Sequence, residues 1–267
     1  MTEYAECGEC AEYVSPLKPP GSNRERLVIF DADGTLVDAF HAVEQAFSQH
    51  DMDIGDLGRF QKRRKLLKYL GGLKEFPKNL RRQFGKQNRK QLIHTLTDVF
   101  RGEAQLYPGM ACLLRQLIAA PDVRVGIVTR NITREPEETM RQLLARHDVD
   151  IAGLDFVTCI PLKDEKLTQF KRIRTQFCIN PARAYACGDE HRDYLAAIGA
   201  GMYPFVASYG FEDHERLHEG FNIPEEVIAR TSLELASRLV DVLGLAPTAV
   251  FRGCKPEPPS RPLRTFI

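Results

Sequence analysis

Leu27-Val28-Ile29-Phe30-Asp31-Ala32-Asp33-Gly34-Thr35-Leu36 sets four consecutive apolar residues directly against two carboxylates spaced two apart. Four apolar residues in a row, with no polar position between them, read as a strand covered on both faces, the condition of a strand inside a parallel sheet. Short runs of the same kind recur at 123–128, 156–157, 184–187 and 203–207. Stretches of helix length separate them, at 109–119, 135–147, 166–178, 191–199 and near 232–243. This alternation predicts an α/β fold with a Rossmann-like parallel sheet as its core.

The alternation is broken once, after the first strand. Between Phe30 and the next strand, Leu92, Ile93, Leu96, Val99 and Phe100 recur at the spacing of an amphipathic helix, and Leu57, Phe60, Leu67 and Leu70 do much the same. A small all-helical cap is therefore expected over residues 40–105, inserted into a core made of 26–39 and 106–245. Residues 1–25 carry Pro16, Pro19, Pro20 and Gly21 without apolar periodicity, and 246–267 are proline-rich, so the two read as an N-terminal arm and a C-terminal tail.

Composition narrows the class further. With 43% hydrophobic and 27% charged residues over 267 positions, the chain can bury a sizeable core and is not globally disordered. No run approaches the roughly 18 apolar residues of a membrane span, and the first residues do not resemble a secretory signal, so a soluble, cytoplasmic protein without membrane association is expected. Seven cysteines, an odd number mostly set in apolar stretches, do not form a disulfide framework. Cys7 and Cys10 form a CxxC that has no second pair at zinc-finger spacing, and they read as exposed thiols. The net charge of +1 hides a segregation: residues 59–90 hold 13 Lys/Arg against the single acid Glu75. Such a block suggests an anionic partner or substrate, although most charge runs are solvated helical faces.

In a parallel sheet, ligands bind beyond the carboxyl ends of the strands. Asp31 and Asp33 stand at such an end, and their mutual repulsion is most simply relieved by a divalent cation such as Mg²⁺, which favours carboxylate, carbonyl and phosphate oxygens. Gly34 permits the turn that follows. After 125–128 come Thr129, Arg130 and Asn131, and after 184–187 come Gly188 and Asp189, with Asp193 four residues on. Lys166 opens the helix before that last strand. Segments distant in sequence thus bring acids, a hydroxyl and an ammonium to one edge of the sheet.

Taken together these motifs resemble the haloacid dehalogenase-like superfamily of phosphohydrolases, with Asp31-Ala32-Asp33-Gly34-Thr35 as DxDGT, then Thr129, Lys166, and Gly188-Asp189 with Asp193. Tyr107-Pro108-Gly109 and Ala200-Gly201-Met202 are similar to the phosphoglycolate phosphatase-like branch, whose helical cap follows the first strand. The resemblance implies a Mg²⁺-dependent phosphomonoesterase acting on a small phosphorylated metabolite. Asp31 would be the nucleophile and Asp33 the general acid and base; Asp31, the Asp33 carbonyl and Asp189 would hold Mg²⁺. Thr129, the Arg130 amide and Lys166 would grip the transferring oxygens, and Asp193 would orient Lys166 or a metal-bound water. Lys163 competes for the lysine role.

Other readings stay open at this point. A phosphonatase would use a buried cap lysine, and a phosphomutase would keep the fold while changing the reaction. The basic block, with Phe60, Tyr69, Phe76 and Phe84 interleaved, also admits nucleic acid as partner or polynucleotide phosphate as substrate. His214-Glu215-Arg216-Leu217-His218 matches HExxH, but Asp213 and Glu219 beside it read as an exposed surface helix and not as a zinc site. Oligomeric state is not legible.

Overall fold

The computed structural model describes residues 25–50, 86–161 and 163–246. Most of the basic block, the helix expected near Leu57–Leu70, Cys7, Cys10 and the proline-rich tail lie outside the described residues. Six parallel strands form one sheet in the order β3-β2-β1-β4-β5-β6. They are β1 (Arg26–Phe30), β2 (Val123–Thr129), β3 (Phe156–Cys159), β4 (Ala184–Gly188), β5 (Tyr203–Ala207) and β6 (Ile228–Ala229). The helices are α1 (Ala39–Ser48), α2 (Lys86–Gly102), α3 (Met110–Ala119), α4 (Pro136–Arg146), α5 (Lys166–Gln176), α6 (His191–Gly199) and α7 (Ser232–Val242). The expected α/β fold with a helical insertion after its first strand is the fold observed. Among the described residues no helix is long and apolar enough to cross a membrane.

β1 shows why an unbroken apolar run was needed. Side chains alternate across a strand, so Val28 and Phe30 enter one core cluster with residues of α1, α2, α3, α4 and α7. Leu27 and Ile29 enter the other, against Phe170 and Ile173 of α5 and Ala196 and Ala197 of α6. All four are fully buried, and each such side chain contributes roughly 1.5–3 kcal/mol on leaving water. A polar residue at any of these positions would face a helix on one side or the other.

The inserted helices are not a separate body among the described residues: Ala42, Val43 and Phe47 of α1 and Leu92, Leu96 and Phe100 of α2 join the same cluster as β1. The two feet of the insert are tied together, with Asp38 N donating to Gln105 O at 2.9 Å and Tyr107 N to Leu36 O at 2.8 Å. The core grips the insert as well, because Arg134 N donates to Thr97 Oγ1 at 2.9 Å, just before α4 begins. α1 and α2 therefore stand over the carboxyl ends of the strands, where the insert leaves the sheet.

Two features were not read from the sequence. The two residues of β6 pair only through Val206↔Ile228 and Ala207↔Ala229, and no local pattern announces so short an edge strand. Arg124, inside the apolar run of β2, is only 2% exposed. Its guanidinium meets Asp155 Oδ1 at 3.2 Å and lies 4.2 Å from the centre of the Phe177 ring. Asp155 Oδ2 also accepts from Val125 N at 2.9 Å, so one carboxylate joins β2 to the start of β3. Removing one partner of a buried pair leaves the other charge uncompensated, which costs about 3–5 kcal/mol. Asp155→Ala is expected to lose stability of that order in urea unfolding; a loss below about 1 kcal/mol would mean that the pair is effectively solvated.

Candidate active site

β1 lies between β2 and β4, so the chain runs outward to one side through β2 and β3 and then crosses back to the other. The connections diverge at the carboxyl end of β1, which is where such sheets leave a crevice. Asp31 enters it held by the neighbouring strand: its N–H donates to Cys187 O at 2.8 Å, and its Oδ1 accepts from Ala32 N at 2.8 Å. The chain then turns tightly, with the N–H groups of Leu36 and Val37 both donating to Ala32 O at 2.9 Å. Gly34 sits in the turn at φ +85°, and a Cβ there would come within 2.2 Å of Asp189 Oδ2. Glycine is required both for the backbone conformation and for the close approach of the carboxylate.

The other strand ends close on the same point. Thr129, the last residue of β2, is fully buried, and its Oγ1 has no hydrogen-bond partner among the described residues. Lys166, the first residue of α5, is 3% exposed. Its ammonium lies 2.7 Å from Asp31 Oδ2 and 2.8 Å from Asp193 Oδ1. Lys166, and not Lys163, is thus the lysine that bridges the two acids; Lys163 stands at the cavity edge. Asp189 follows β4 and is completely buried. Glu190 and Asp193 form a reciprocal capping box at the start of α6, and Asp193 Oδ2 accepts from Glu190 N at 3.2 Å.

These positions surround a cavity of about 320 Å³ lined by Asp31, Asp33, Thr129, Arg130 and Asp189 among others. Ligand oxygens of Asp31, Asp189 and Asp193 lie within 4.8 Å of one another. Burial raises the Asp31 carboxyl above its usual range; Lys166 pulls it back down, and Asp193 pushes it up again. Burial likewise raises Asp189 well above the usual range, with Asp31, Glu190 and Asp193 adding to the effect. Asp33 is pushed up to about 8 by desolvation and by the Asp31 charge. For Lys166, burial opposes the charged form, but Asp193 and Asp31 outweigh it and the ammonium is held. Lys166, with the Arg130 guanidinium 3.8 Å from Asp193, stands against three buried acids, Asp31, Asp189 and Asp193. Asp189 Oδ1 and Asp33 Oδ1 have no hydrogen-bond partner among the described residues. An all-oxygen donor set with orphaned carboxylate oxygens fits a hard divalent cation.

Sequence reading missed part of the support. Arg130 was expected to act through its amide, yet its guanidinium also pairs with Glu190 at 3.0 Å and approaches Asp193 at 3.8 Å. Tyr209-Gly210-Phe211, just after β5, also supports the site: Phe211 N donates to Asp189 Oδ2 at 2.6 Å, and Tyr209 Oη donates to Thr35 O at 2.9 Å. Tyr107 packs edge-on against Tyr209 with ring centroids 4.8 Å apart. A Cβ on Gly210 would come within 2.4 Å of Gly34 O and 2.5 Å of Asp189 Oδ2. A glycine between two aromatics after a strand was the available signal, but which groups it approaches depends on the turn after β1.

The HExxH segment is corrected in shape: it holds a short π-helical stretch, Arg216–Gly220, folded over the buried Leu217. His214 Nε2 lies 2.5 Å from Glu225 Oε2, and His218 Nδ1 lies 3.0 Å from Ile223 O. Both rings are engaged with protein groups of the segments around them.

Acids from two strand ends are thus gathered at the switch point of a parallel α/β sheet. The sequence matches the model of the haloacid dehalogenase-like hydrolases over residues 25–201, and the chain belongs to that family. Solved structures share its fold at low identity. A predicted phosphatase from Clostridium acetobutylicum is 20% identical at a TM-score of 0.53, covering 81% of this chain and 99% of its own. A haloacid dehalogenase-like family protein from Streptococcus pneumoniae is 19% identical at a TM-score of 0.55, covering 80% and 98%. CbbY from Rhodobacter sphaeroides, solved in complex with phosphate, is 19% identical at a TM-score of 0.55, covering 79% and 96%. Comparison with curated proteins gives no match.

The raised carboxyl of Asp33 carries a sign that can be checked. Its folded value of about 8 lies above the ordinary aspartate value of 3.8, so between these limits the folded state holds a proton that the unfolded state has released. Folding stability must then fall as pH rises through that window and level off above it. Protein stripped of divalent cations is expected to show this decline in thermal or urea unfolding between about pH 5 and 8, and Asp33→Asn should make it shallower, Asp31 and Asp189 being raised as well. Equal slopes in the two proteins would mean that Asp33 ionises normally.

Proposed function

We propose that the protein is a Mg²⁺-dependent phosphomonoesterase that hydrolyses a small phosphorylated metabolite through an aspartyl-phosphate on Asp31. The observation that carries this reading is the Asp31 carboxylate itself. Its residue is tied through the backbone N–H to Cys187 O, its Oδ1 accepts from Ala32 N, its Oδ2 is balanced by Lys166 at 2.7 Å, and Asp31 lines the cavity. A nucleophile must be held and still face the space its substrate enters.

Asp31 attacks phosphorus, forming a bond between its carboxylate oxygen and phosphorus while the bond to the leaving oxygen breaks. Asp33, whose carboxyl is raised by burial and by the Asp31 charge, gives its proton to that oxygen. In the second half, Asp33 as carboxylate takes a proton from water as the water attacks phosphorus, which releases phosphate and restores Asp31. Thr129 Oγ1, buried at the strand end without a partner among the described residues, would donate to a phosphate oxygen. The Arg130 amide would do the same, and Lys166 would hold charge at the transferring group. Asp193, bonded to Glu190 N and paired with Lys166, would orient that ammonium. Asp31, the Asp33 carbonyl and Asp189 would hold Mg²⁺, which when bound supplies positive charge that offsets the approach of one anion to another.

CbbY, which shares the fold, was solved with phosphate, and this supports phosphate as the group recognised in the crevice. The phosphonatase and nucleic-acid readings rest on the lysines and arginines of the insert, mostly outside the described residues, whereas a phosphomutase would use the same Asp31 and Asp33.

Asp31→Asn keeps the shape of the side chain and removes the nucleophile. Its kcat with a phosphomonoester and Mg²⁺ is expected to fall on the order of 10³-fold or more, with the circular dichroism spectrum unchanged. Substantial activity in a purified, folded sample would remove the covalent route.

A further inference from the structure

Asp189 sits in a very short connection. β4 ends at Gly188 and α6 begins at His191, so Asp189 and Glu190 alone span the gap between strand and helix. The strand end is set by the sheet, where Gly188 pairs with Val206 of β5. Where the helix begins therefore decides how the Asp189 backbone runs and which way its carboxylate faces.

The start of α6 is held from outside by Glu212. This residue is almost completely buried, and its Oε2 accepts from His191 N, one of the helix-start N–H groups that a helix leaves without an internal partner. Its Oε1 accepts from Arg216 Nε at 3.2 Å. Arg216 belongs to the HExxH sequence, and its guanidinium lies 5.0 Å from the centre of the Phe221 ring. That same ring stacks on the His191 imidazole, with centroids 4.0 Å apart and planes 5° from parallel. Backbone and side chain of His191 are thus both gripped by the segment from Glu212 to Phe221. The residue before Glu212 takes the acid itself, since Phe211 N donates to Asp189 Oδ2 at 2.6 Å. Two consecutive residues after β5 therefore fix Asp189 and the helix start that follows it.

We infer that Glu212 is a positioning residue of the cation site, holding His191 so that Asp189 presents its carboxylate to the bound ion. The inference rests on the reading of Asp189 as a Mg²⁺ ligand and deepens it. Mg²⁺ demands near-ideal octahedral geometry with ligands at about 2.0–2.1 Å, so a ligand whose backbone can drift binds it more weakly. Arg216 and Phe221 keep the Glu212 arm in place, which gives the HExxH segment a part in the site that needs no zinc.

Calorimetric titration of Mg²⁺ into metal-free protein tests this, with folding of each variant checked by circular dichroism. Glu212→Ala is expected to weaken Mg²⁺ binding on the order of 10-fold, as losing a partner behind a metal ligand commonly does. Glu212→Gln, whose amide oxygen can still accept from His191 N, should stay close to wild type. Asp155→Ala, which loses stability away from the site, should keep the wild-type Mg²⁺ affinity. An unchanged affinity in folded Glu212→Ala protein overturns the inference and leaves the cation site standing. An equal loss in Glu212→Gln would assign the effect to the charge of Glu212 and overturn the positioning role, and an equal loss in Asp155→Ala would assign it to stability and do the same. If wild-type protein binds no Mg²⁺, the cation site itself fails and the inference with it. Should Glu212→Ala not fold, Glu212→Asp, which keeps the charge and shortens the arm by one methylene, takes its place, with weakened binding expected and unchanged affinity overturning the inference.

Discussion

Everything at the sheet edge depends on balancing a dense set of buried negative charges. Lys166 stands 2.7 Å from Asp31 and 2.8 Å from Asp193 while Asp189 lies within 4.8 Å of both acids. A charge buried without a counter-charge is expensive, so this cluster constrains what surrounds it. It explains why a lysine opens α5, why a glycine follows Asp33, and why backbone N–H groups of Ala32 and Phe211 are turned toward carboxylate oxygens. Lys166, the Arg130 guanidinium and the two amides all face it. Burial above all, with the neighbouring acids adding to it, raises the carboxyl groups of Asp31, Asp33 and Asp189.

The fold meets this constraint by register. Phe30 pairs with Ile127 of β2 and Cys187 of β4, so the three central strands end at nearly the same level and deliver Asp31, Thr129 and Asp189 to one place. The brace comes from beyond β5, where Tyr209, Gly210 and Phe211 hold both the turn after β1 and the Asp189 carboxylate. The insert contributes differently. Because α1 and α2 share a core with β1, the residues they bring to the cavity, Ala39, Val43, Leu96 and Phe100, are packed into the body of the protein.

Much of this was legible because it is local. Four apolar residues ending in Asp31-Ala32-Asp33 announce a buried strand with a charged end, and the alternation of short runs with amphipathic segments gives the layers. Asp189 and Asp193 were readable from their places after an apolar run, and Lys166 from its place at a helix start. What escaped is long-range. Nothing near Arg124 says that Asp155 and Phe177 will receive it. Nothing near Gly210 says that Gly34 and Asp189 leave it no room for a side chain. The choice between Lys163 and Lys166 likewise turned on which side chain reaches Asp31, a matter of how α5 docks. The pairing of Arg130 with Glu190 depends on the separation of β2 and β4 across β1, which no spacing in the sequence encodes.

The central claim is that the acid floor is a cation site completed by Asp189. Titration of Mg²⁺ into metal-free protein, followed by the midpoint of thermal unfolding, tests it most directly, because an ion that binds only the folded state stabilises it by about 2.7 kcal/mol at a hundred times its Kd. The account predicts that the midpoint of wild-type protein rises with Mg²⁺ and saturates, and that Asp189→Ala loses most of the rise. A midpoint indifferent to Mg²⁺ in the wild type, or an equal rise in Asp189→Ala, would contradict it.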